Sequence, residues 1–320
     1  MIKKLSFIYL CYLCIFYLQP YPNLTLDIPK RTSLWNIDRI LYKNNLTPHR
    51  GTFAAYAIAT GQRRKIKHGE YKFCTRFIPH ITHKLVNEDV VLYKITFPEG
   101  STVSEIIDAL NKDLILSGEK LRHSETLKGL WLSQKTEMDD HSASTPRHDV
   151  SIPEGSLFPS TYVYPKNTSR QDILKKMQAK MKQKLQDYQH PKLTQKEFLI
   201  LASLVEKETH LDHERPLVAS IFLKRFLKGM PLQADPSIIY GLNLKKLTRG
   251  DFNKKTPYNT YMYKGMPPTP ICCPGEKSLQ AVKEAVETTP YLYFVLGKDG
   301  HIFSKTFEEH KRHVRNYKNR

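Results

Sequence analysis

Cysteine is scarce and poorly placed for cross-linking. Of five in 320 residues, Cys11 and Cys14 lie in an apolar leader, Cys74 stands alone, and Cys272 and Cys273 are adjacent. No disulfide framework is written here, which excludes a stapled mini-protein. Acid is also in short supply: 50 Lys and Arg face 31 Asp and Glu, leaving +19 at pH 7. Such a field attracts nucleic acid, anionic lipid or an anionic wall polymer without choosing among them. There is no G-x-S-x-G elbow, no Walker loop and no Rossmann glycine pattern after a strand, so the common serine hydrolase, NTPase and dinucleotide classes are set aside. His210 with His213 and His80 with His83 lack the HExxH spacing of a zinc site. No metal and no cofactor are expected.

What is present suits a folded, largely water-soluble chain, with 40% hydrophobic and 25% charged residues and enough length for one substantial core plus a smaller companion. The N-terminus looks like an export signal. Lys3 and Lys4 precede fourteen uncharged residues, Leu5 to Leu18, then Gln19 and the Pro20/Pro22 pair. That stretch is short for a span of about 20 residues, yet no small-residue cleavage site follows it, so residues 1–22 are read as an uncleaved signal-anchor. A buried N-terminal strand is the alternative. Export makes nucleic acid an unexpected partner, and the basic run Arg63-Arg64-Lys65-Ile66-Lys67 is not assigned to it.

The fold class expected is α+β. Residues 23–132 read as a small α/β region, with Leu34, Ile37, Ile40 and Leu41 at helical spacing and Gly69 to Phe73 alternating as a strand. Val90 to Phe97, the turn Pro98-Glu99-Gly100 and a helix capped by Thr102 with Glu105 make one strand-turn-helix unit. Residues 133–150 are polar and aperiodic, a linker or surface loop. Residues 151–320 form the second domain. It holds a basic helix from Ser169 to Tyr188, a capping box at Thr194-Gln195-Lys196-Glu197 opening a helix to about Thr209, and a helix from Glu214 to Lys228 stopped by Gly229. A short helix starts at Asp235-Pro236 and another spans Gly275 to Thr288. A hairpin joins Tyr291–Leu296 to His301–Thr306, and the basic tail Lys311–Arg320 is expected to be solvated or lipid-facing rather than folded.

Glu206 and Glu208 cannot share a face, since two helical steps turn them about 200° apart. Glu208 follows Leu201, Leu204 and Val205 on the apolar stripe, while Glu206 keeps company with Ala202 and Ser203. A carboxyl held against apolar neighbours loses hydration and its pKa rises, so Glu208 could donate a proton to a glycosidic oxygen at neutral pH. It could equally cap a loop or pair with a base. Downstream, Gln233, Asp235, Tyr240, Tyr258, Asn259, Thr260, Tyr261 and Tyr263 offer short polar and aromatic groups suited to sugar hydroxyls and ring faces, or else serve as loop anchors. Asp235, before Pro236, reads as a helix cap ahead of a catalytic role.

The order of motifs resembles the endolytic murein transglycosylases of the YceG-like family. It is carried by Leu201-Ala202-Ser203-Leu204-Val205-Glu206-Lys207-Glu208-Thr209, Arg215, Val218 to Phe222 and Arg225, and by Met230-Pro231-Leu232-Gln233-Ala234-Asp235-Pro236 with Tyr240-Gly241. Tyr258-Asn259-Thr260-Tyr261, Gly265-Met266-Pro267-Pro268, Pro274-Gly275, Tyr291 to Val295 and Gly300-His301-Ile302-Phe303 follow in the family's order. Phe97 to Gly100 and Glu154 to Pro159 look like landmarks of its LysM-like region. The resemblance implies that Glu208 is the catalytic acid/base and Glu206 structural. It also implies a single inner-membrane anchor, a periplasmic catalytic domain, association with wall synthases of the penicillin-binding kind, and glycan strands of peptidoglycan as substrate. Cleavage would be non-hydrolytic, closing a 1,6-anhydro ring on N-acetylmuramic acid. Cys272 and Cys273 depart from the family pattern and are expected at the groove rim at most, and Lys311 follows His310 where Asn is common. A peptidoglycan-binding scaffold without catalysis and a hydrolytic muramidase remain the rivals.

Overall fold

Apolar spacing switches between periods of two and 3.6 over short distances, and the elements it gives are correspondingly short. The computed structural model describes residues 16–17, 23–116, 152–166 and 168–318, in a mixed α+β fold. The expected linker at 133–150 lies outside the described residues, as does the leader apart from Phe16 and Tyr17. Among the described residues no helix is long and apolar enough to cross a membrane. That finding corrects the expected single-pass anchor and the inner-membrane placement with a periplasmic domain. The physical reason is length, since fourteen uncharged residues would rise only about 21 Å as a helix against about 30 Å of hydrocarbon.

Contacts divide the chain into Met1–Ile95 with Val163–Thr168, and Thr96–Tyr162 with Ser169–Arg320. In the first unit β1 (Leu24–Ile28) pairs antiparallel with β2 (Gly69–Phe73), setting Leu26 opposite Tyr71. Three helices cover the pair: α1 (Leu34–Lys43), α2 (Thr52–Ala59) and α3 (Ile78–Val86). Leu41, Phe53, Phe73 and Leu85 are fully buried between them. Asp38 of α1 is buried as well, because its carboxylate accepts the backbone N–H groups of Gly51, Phe53 and Ala54 at 2.6, 3.1 and 3.2 Å, capping α2 from outside its own sequence. Only α1 stood out by periodicity; α2 is apolar nearly all round and has no phase to read.

Two further strands, β3 (Leu92–Thr96) and β4 (Thr161–Pro165), form a separate pair. The second unit then carries α4 (Val103–Leu116), α5 (Arg170–Asp187), α6 (Gln195–Glu208), α7 (Arg215–Leu227), α8 (Asp235–Gly241) and α9 (Glu276–Lys283). The hairpin β5 (Tyr293–Leu296) and β6 (His301–Ser304) and a last helix, α10 (Phe307–Lys318), complete it. The capping boxes expected at Thr102/Glu105 and Thr194/Glu197 are both formed. At the centre lies α6, with Ile200 to Glu206 buried without a break, and α7, α8 and α9 pack against it. A helix enclosed on every side supplies the core rather than one face of it.

Three expectations change here. The basic tail is helical, because the Phe307 ring tilts against Tyr293 and the His310 ring stacks on it, with centroids 5.7 and 5.4 Å away, and the two dock it to the hairpin. Cys272 and Cys273 are fully buried rather than at a rim: the Cys272 thiol reaches the Ser203 carbonyl at 3.4 Å, and the Cys273 backbone exchanges hydrogen bonds with Gly100 and Ser101 at 3.0 and 2.8 Å. Asp235 does not cap its helix. Ala234 holds the cap position, and no side chain caps there.

Candidate active site

Glu208 is the last residue of α6, with Thr209 as the C-cap. The side chain is half-buried, but its Oε2 is sealed from solvent and finds no hydrogen-bond partner among the described residues. Burial foremost, then the Asp235 carboxylate, push its carboxyl from 4.5 up to about 8. The negative end of the α6 dipole acts in the same direction. A neutral carboxylic acid at pH 7, aimed at no partner of its own, is equipped to give its proton to something else.

Helical phase is not what separates it from Glu206. Because α6 is enclosed all round from Ile200 to Glu206, Glu206 is the more deeply buried of the two, only 4% exposed. The difference lies in partners: Arg215 Nη1 donates to Glu206 Oε1 at 3.1 Å and the Gly275 N–H to Oε2 at 2.9 Å. Arg215 also donates to Ser278 Oγ at 2.5 Å. Glu206 is a committed strut joining α6, α7 and the start of α9.

A second buried carboxylate braces the other side of the site. Glu214, before α7, accepts the Thr209 hydroxyl at 2.8 Å, and the backbone N–H and Nδ1 of His301 at 2.6 Å each. Burial by itself would raise this carboxyl, but the His301 and Thr209 hydrogen bonds outweigh it and hold Glu214 below its ordinary value. The arrangement fastens the hairpin to the end of α6, directly beside Glu208. No sequence motif announced it, since the partners are 87 residues apart.

The expected substrate-binding residues fall into three groups. Asp235 and Gln233 are exposed, and Asp235 is close enough for its charge to be felt by Glu208. The Tyr261 hydroxyl donates to Asp235 Oδ1 at 2.5 Å. Gln233 sits in left-handed backbone, φ +56, a conformation that costs a non-glycine residue on the order of 1 kcal/mol. Its Oε1 accepts from the Arg225 guanidinium, and Arg225 in turn holds the Pro231 carbonyl at 2.9 Å. Asn259 and Thr260 are buried and their side chains are used internally. Asn259 Nδ2 donates to the carbonyls of Phe252 and Lys254, both at 2.9 Å, and Thr260 Oγ1 takes the Ala234 N–H at 3.0 Å. Tyr240 and Tyr258 stand apart. Their rings meet edge to face at 5.1 Å and line a cleft of about 590 Å³ with Glu154, Gln195, Lys196 and Leu199, beside the first half of α6. Lys196 and Glu208 are twelve residues apart on that helix, a rise of about 18 Å.

Sequence reasoning gave Arg225 and His310 no role at the site. Arg225 reads as a base in the last turn of a helix, yet it is only 5% exposed, and its guanidinium lies 5.6 Å from the Tyr293 ring. His310 has a buried Nδ1 without a hydrogen-bond partner among the described residues; burial, then Arg225 and His313, draw its pKa down and favour the neutral imidazole. Among the described residues no group of three His, Cys, Asp or Glu is placed to hold a metal ion.

Similarity to known proteins agrees with this architecture. The YceG-like family matches residues 26–316. A protein of Bacillus subtilis (strain 168) named endolytic murein transglycosylase is 28% identical over an alignment of 318 positions that covers 92% of this chain and 85% of that one. A Streptococcus pneumoniae (serotype 2, strain D39) protein of the same name is 28% identical over an alignment of 332 positions, gaps included, and there the match spans 58% of the relative's own length. The crystal structure of a YceG-like protein from Listeria monocytogenes superposes with a TM-score of 0.50 at 27% identity, covering 91% of this chain and 99% of that one. With the match running over nearly the whole length, the chain belongs to the YceG-like family.

Proposed function

We propose that this protein is a peptidoglycan lytic transglycosylase that cuts the β-1,4 bond between N-acetylmuramic acid and N-acetylglucosamine within glycan strands, with Glu208 as its acid and base. The observation that carries the reading is the solvent-sealed, unpartnered Oε2 of Glu208 at the end of α6, its carboxyl held protonated up to about pH 8. The names of the relatives from Bacillus and Streptococcus support the same substrate. Glu208 protonates the oxygen leaving C1 of N-acetylmuramic acid, and the C1–O bond breaks. Now a carboxylate, it removes the proton of that sugar's C6 hydroxyl, whose oxygen bonds to C1 and closes the 1,6-anhydro ring. Glu208 returns to its starting state without water being consumed. Cuts within strands would end the elongation of nascent glycan, next to synthases of the penicillin-binding kind. The N-terminal unit, LysM-like by resemblance, is assigned to holding the strand.

One observation favours a second reading, the hydrolytic muramidase. Asp235 is an exposed carboxylate whose charge reaches Glu208, and a base or nucleophile opposite the acid is what hydrolysis requires. Mass spectrometry of digested wall in heavy-oxygen water separates the two. The lyase gives anhydro ends without label, and the hydrolase gives labelled reducing ends. A Glu208→Gln variant that releases anhydro products at the parent's rate refutes the assignment of Glu208; release of no product by either protein favours a scaffold.

A further inference from the structure

Two exposed polar groups near Glu208 are held in fixed orientations by other side chains. Arginine carries donors only, so the carboxamide oxygen of Gln233 must face Arg225, as it does. The Nε2 donors then point away from the guanidinium, on a side chain that is exposed and on backbone in the left-handed region. Two residues on, Tyr261 donates to Asp235 Oδ1 at 2.5 Å, which leaves Oδ2 as the free acceptor of an exposed carboxylate. Ser237, Thr260 and Ala234 lock the intervening turn: Thr260 Oγ1 takes the Ala234 N–H at 3.0 Å and meets Ser237 Oγ at 2.9 Å, while the Gln233 N–H donates to the Thr260 carbonyl at 3.0 Å. The result is one oriented donor and one oriented acceptor two residues apart, on a rigid turn whose acceptor also acts on the pKa of Glu208.

We propose that Gln233 and Asp235 read a secondary amide on the substrate, Gln233 Nε2–H donating to its carbonyl oxygen and Asp235 Oδ2 accepting its N–H. Arg225 and Tyr261 are the positioning residues that fix which atom each presents. This rests on the reading of Glu208 as the acid acting at C1. The carbon next to C1 carries an acetamido group in this polymer, and that group is a secondary amide with one acceptor and one donor. The amide that begins the stem peptide has the same chemistry, and the experiment distinguishes the two.

Binding is measured with the full chain carrying Glu208→Gln, so that nothing is cleaved. The probes are a β-1,4 N-acetylglucosamine oligomer, a β-1,4 glucose oligomer of equal length, and muropeptides with and without stems. The acetylated oligomer is expected to bind about tenfold or more tightly than the glucose oligomer, the worth of an oriented hydrogen-bond pair. Adding Gln233→Glu keeps an acceptor for Arg225 but removes the donor, and adding Asp235→Asn keeps the bond from Tyr261 but replaces the free acceptor with a donor. Each substitution should bring the ratio close to one, with the unfolding midpoint in urea unchanged for Gln233→Glu. Discrimination seen only between muropeptides with and without stems, and lost in the same variants, keeps the amide reader and assigns it to the stem. A ratio that neither substitution alters, or the absence of any preference for an amide-bearing probe, overturns the proposal. Anhydro product from the Glu208 parent in that case leaves the proposed reaction standing, whereas its absence overturns the reaction as well.

Discussion

Replacing Asp235 by Asn tests the electrostatics of the site most directly. Glu208 rises from 4.5 to about 8 for two reasons, and burial is the larger, so the Asp235 charge supplies less than half of the rise. Removing that charge at constant shape therefore moves Glu208 down by less than about 1.7 pH units. The exposure of Asp235 to water screens its charge, which sets the expected displacement nearer to about one pH unit. With a pKa of about 8, about nine-tenths of Glu208 carries its proton at pH 7, against well under about one part in a hundred at the ordinary carboxyl value. The parent's kcat/KM for release of anhydro muropeptides should accordingly stay level through neutrality and fall as pH rises through about 8. In Asp235→Asn the same fall should begin about one unit lower. Product release followed by chromatography from pH 5 to 10 gives both curves. An alkaline limb that stays in place or moves up in the variant refutes the electrostatic argument. A parent curve that climbs through pH 8 shows that Glu208 is not the acid.

Glu208→Gln should stabilise the fold while abolishing activity. A carboxyl whose folded pKa exceeds its unfolded value weakens the protein as pH rises between the two, so the gain in thermal midpoint should be absent below pH 4.5, grow with pH and level off above about 8. A gain that is constant with pH would show that the side chain is not raised in the folded state. Glu206→Ala takes the buried carboxylate away from the Arg215 guanidinium, leaving it Ser278 and the exposed Asp212 at 3.5 Å, and should cost up to about 3–5 kcal/mol in urea unfolding, with Arg215→Met in the same background recovering part of the loss. Glu214 is held below its ordinary value by His301 and Thr209, so its contribution is present above the ordinary carboxyl range and lost as pH falls through its lower folded pKa. Glu214→Gln should flatten that acid limb of the stability curve, and an unchanged limb counts against the network. Gly300→Ala should destabilise by roughly 1–3 kcal/mol, because Gly300 has φ +135 and an added Cβ would collide with Glu214 Oε1.

Several features of this protein are written locally. The capping boxes at Thr102 and Thr194, the stop at Gly229 and the hairpin around Gly297 to Gly300 each depend on a few neighbouring residues, and each formed where the spacing put it. The motif order likewise identified the family, because a sequence pattern survives without knowledge of the packing. The tail from Lys311 shows where local reading stops. Its charge suggested solvent, but the rings of Phe307 and His310 found Tyr293 across the hairpin.

The site belongs to that second class. Helical phase does not tell Glu206 from Glu208, since the fold encloses α6 on every side from Ile200 to Glu206 and leaves no single buried face for a stripe to mark. Tertiary partners divided their roles, with Arg215 and the Gly275 N–H satisfying both oxygens of the first and burial of a partnerless oxygen, with the Asp235 charge, raising the second. Sequence alone placed a carboxyl at 208 and an acid at 235; only folding brought them within reach of each other's charge and turned Gln233 by the grip of Arg225. Charge and hydrogen bonding act through space, over a few ångströms that the chain bridges only once its core has closed.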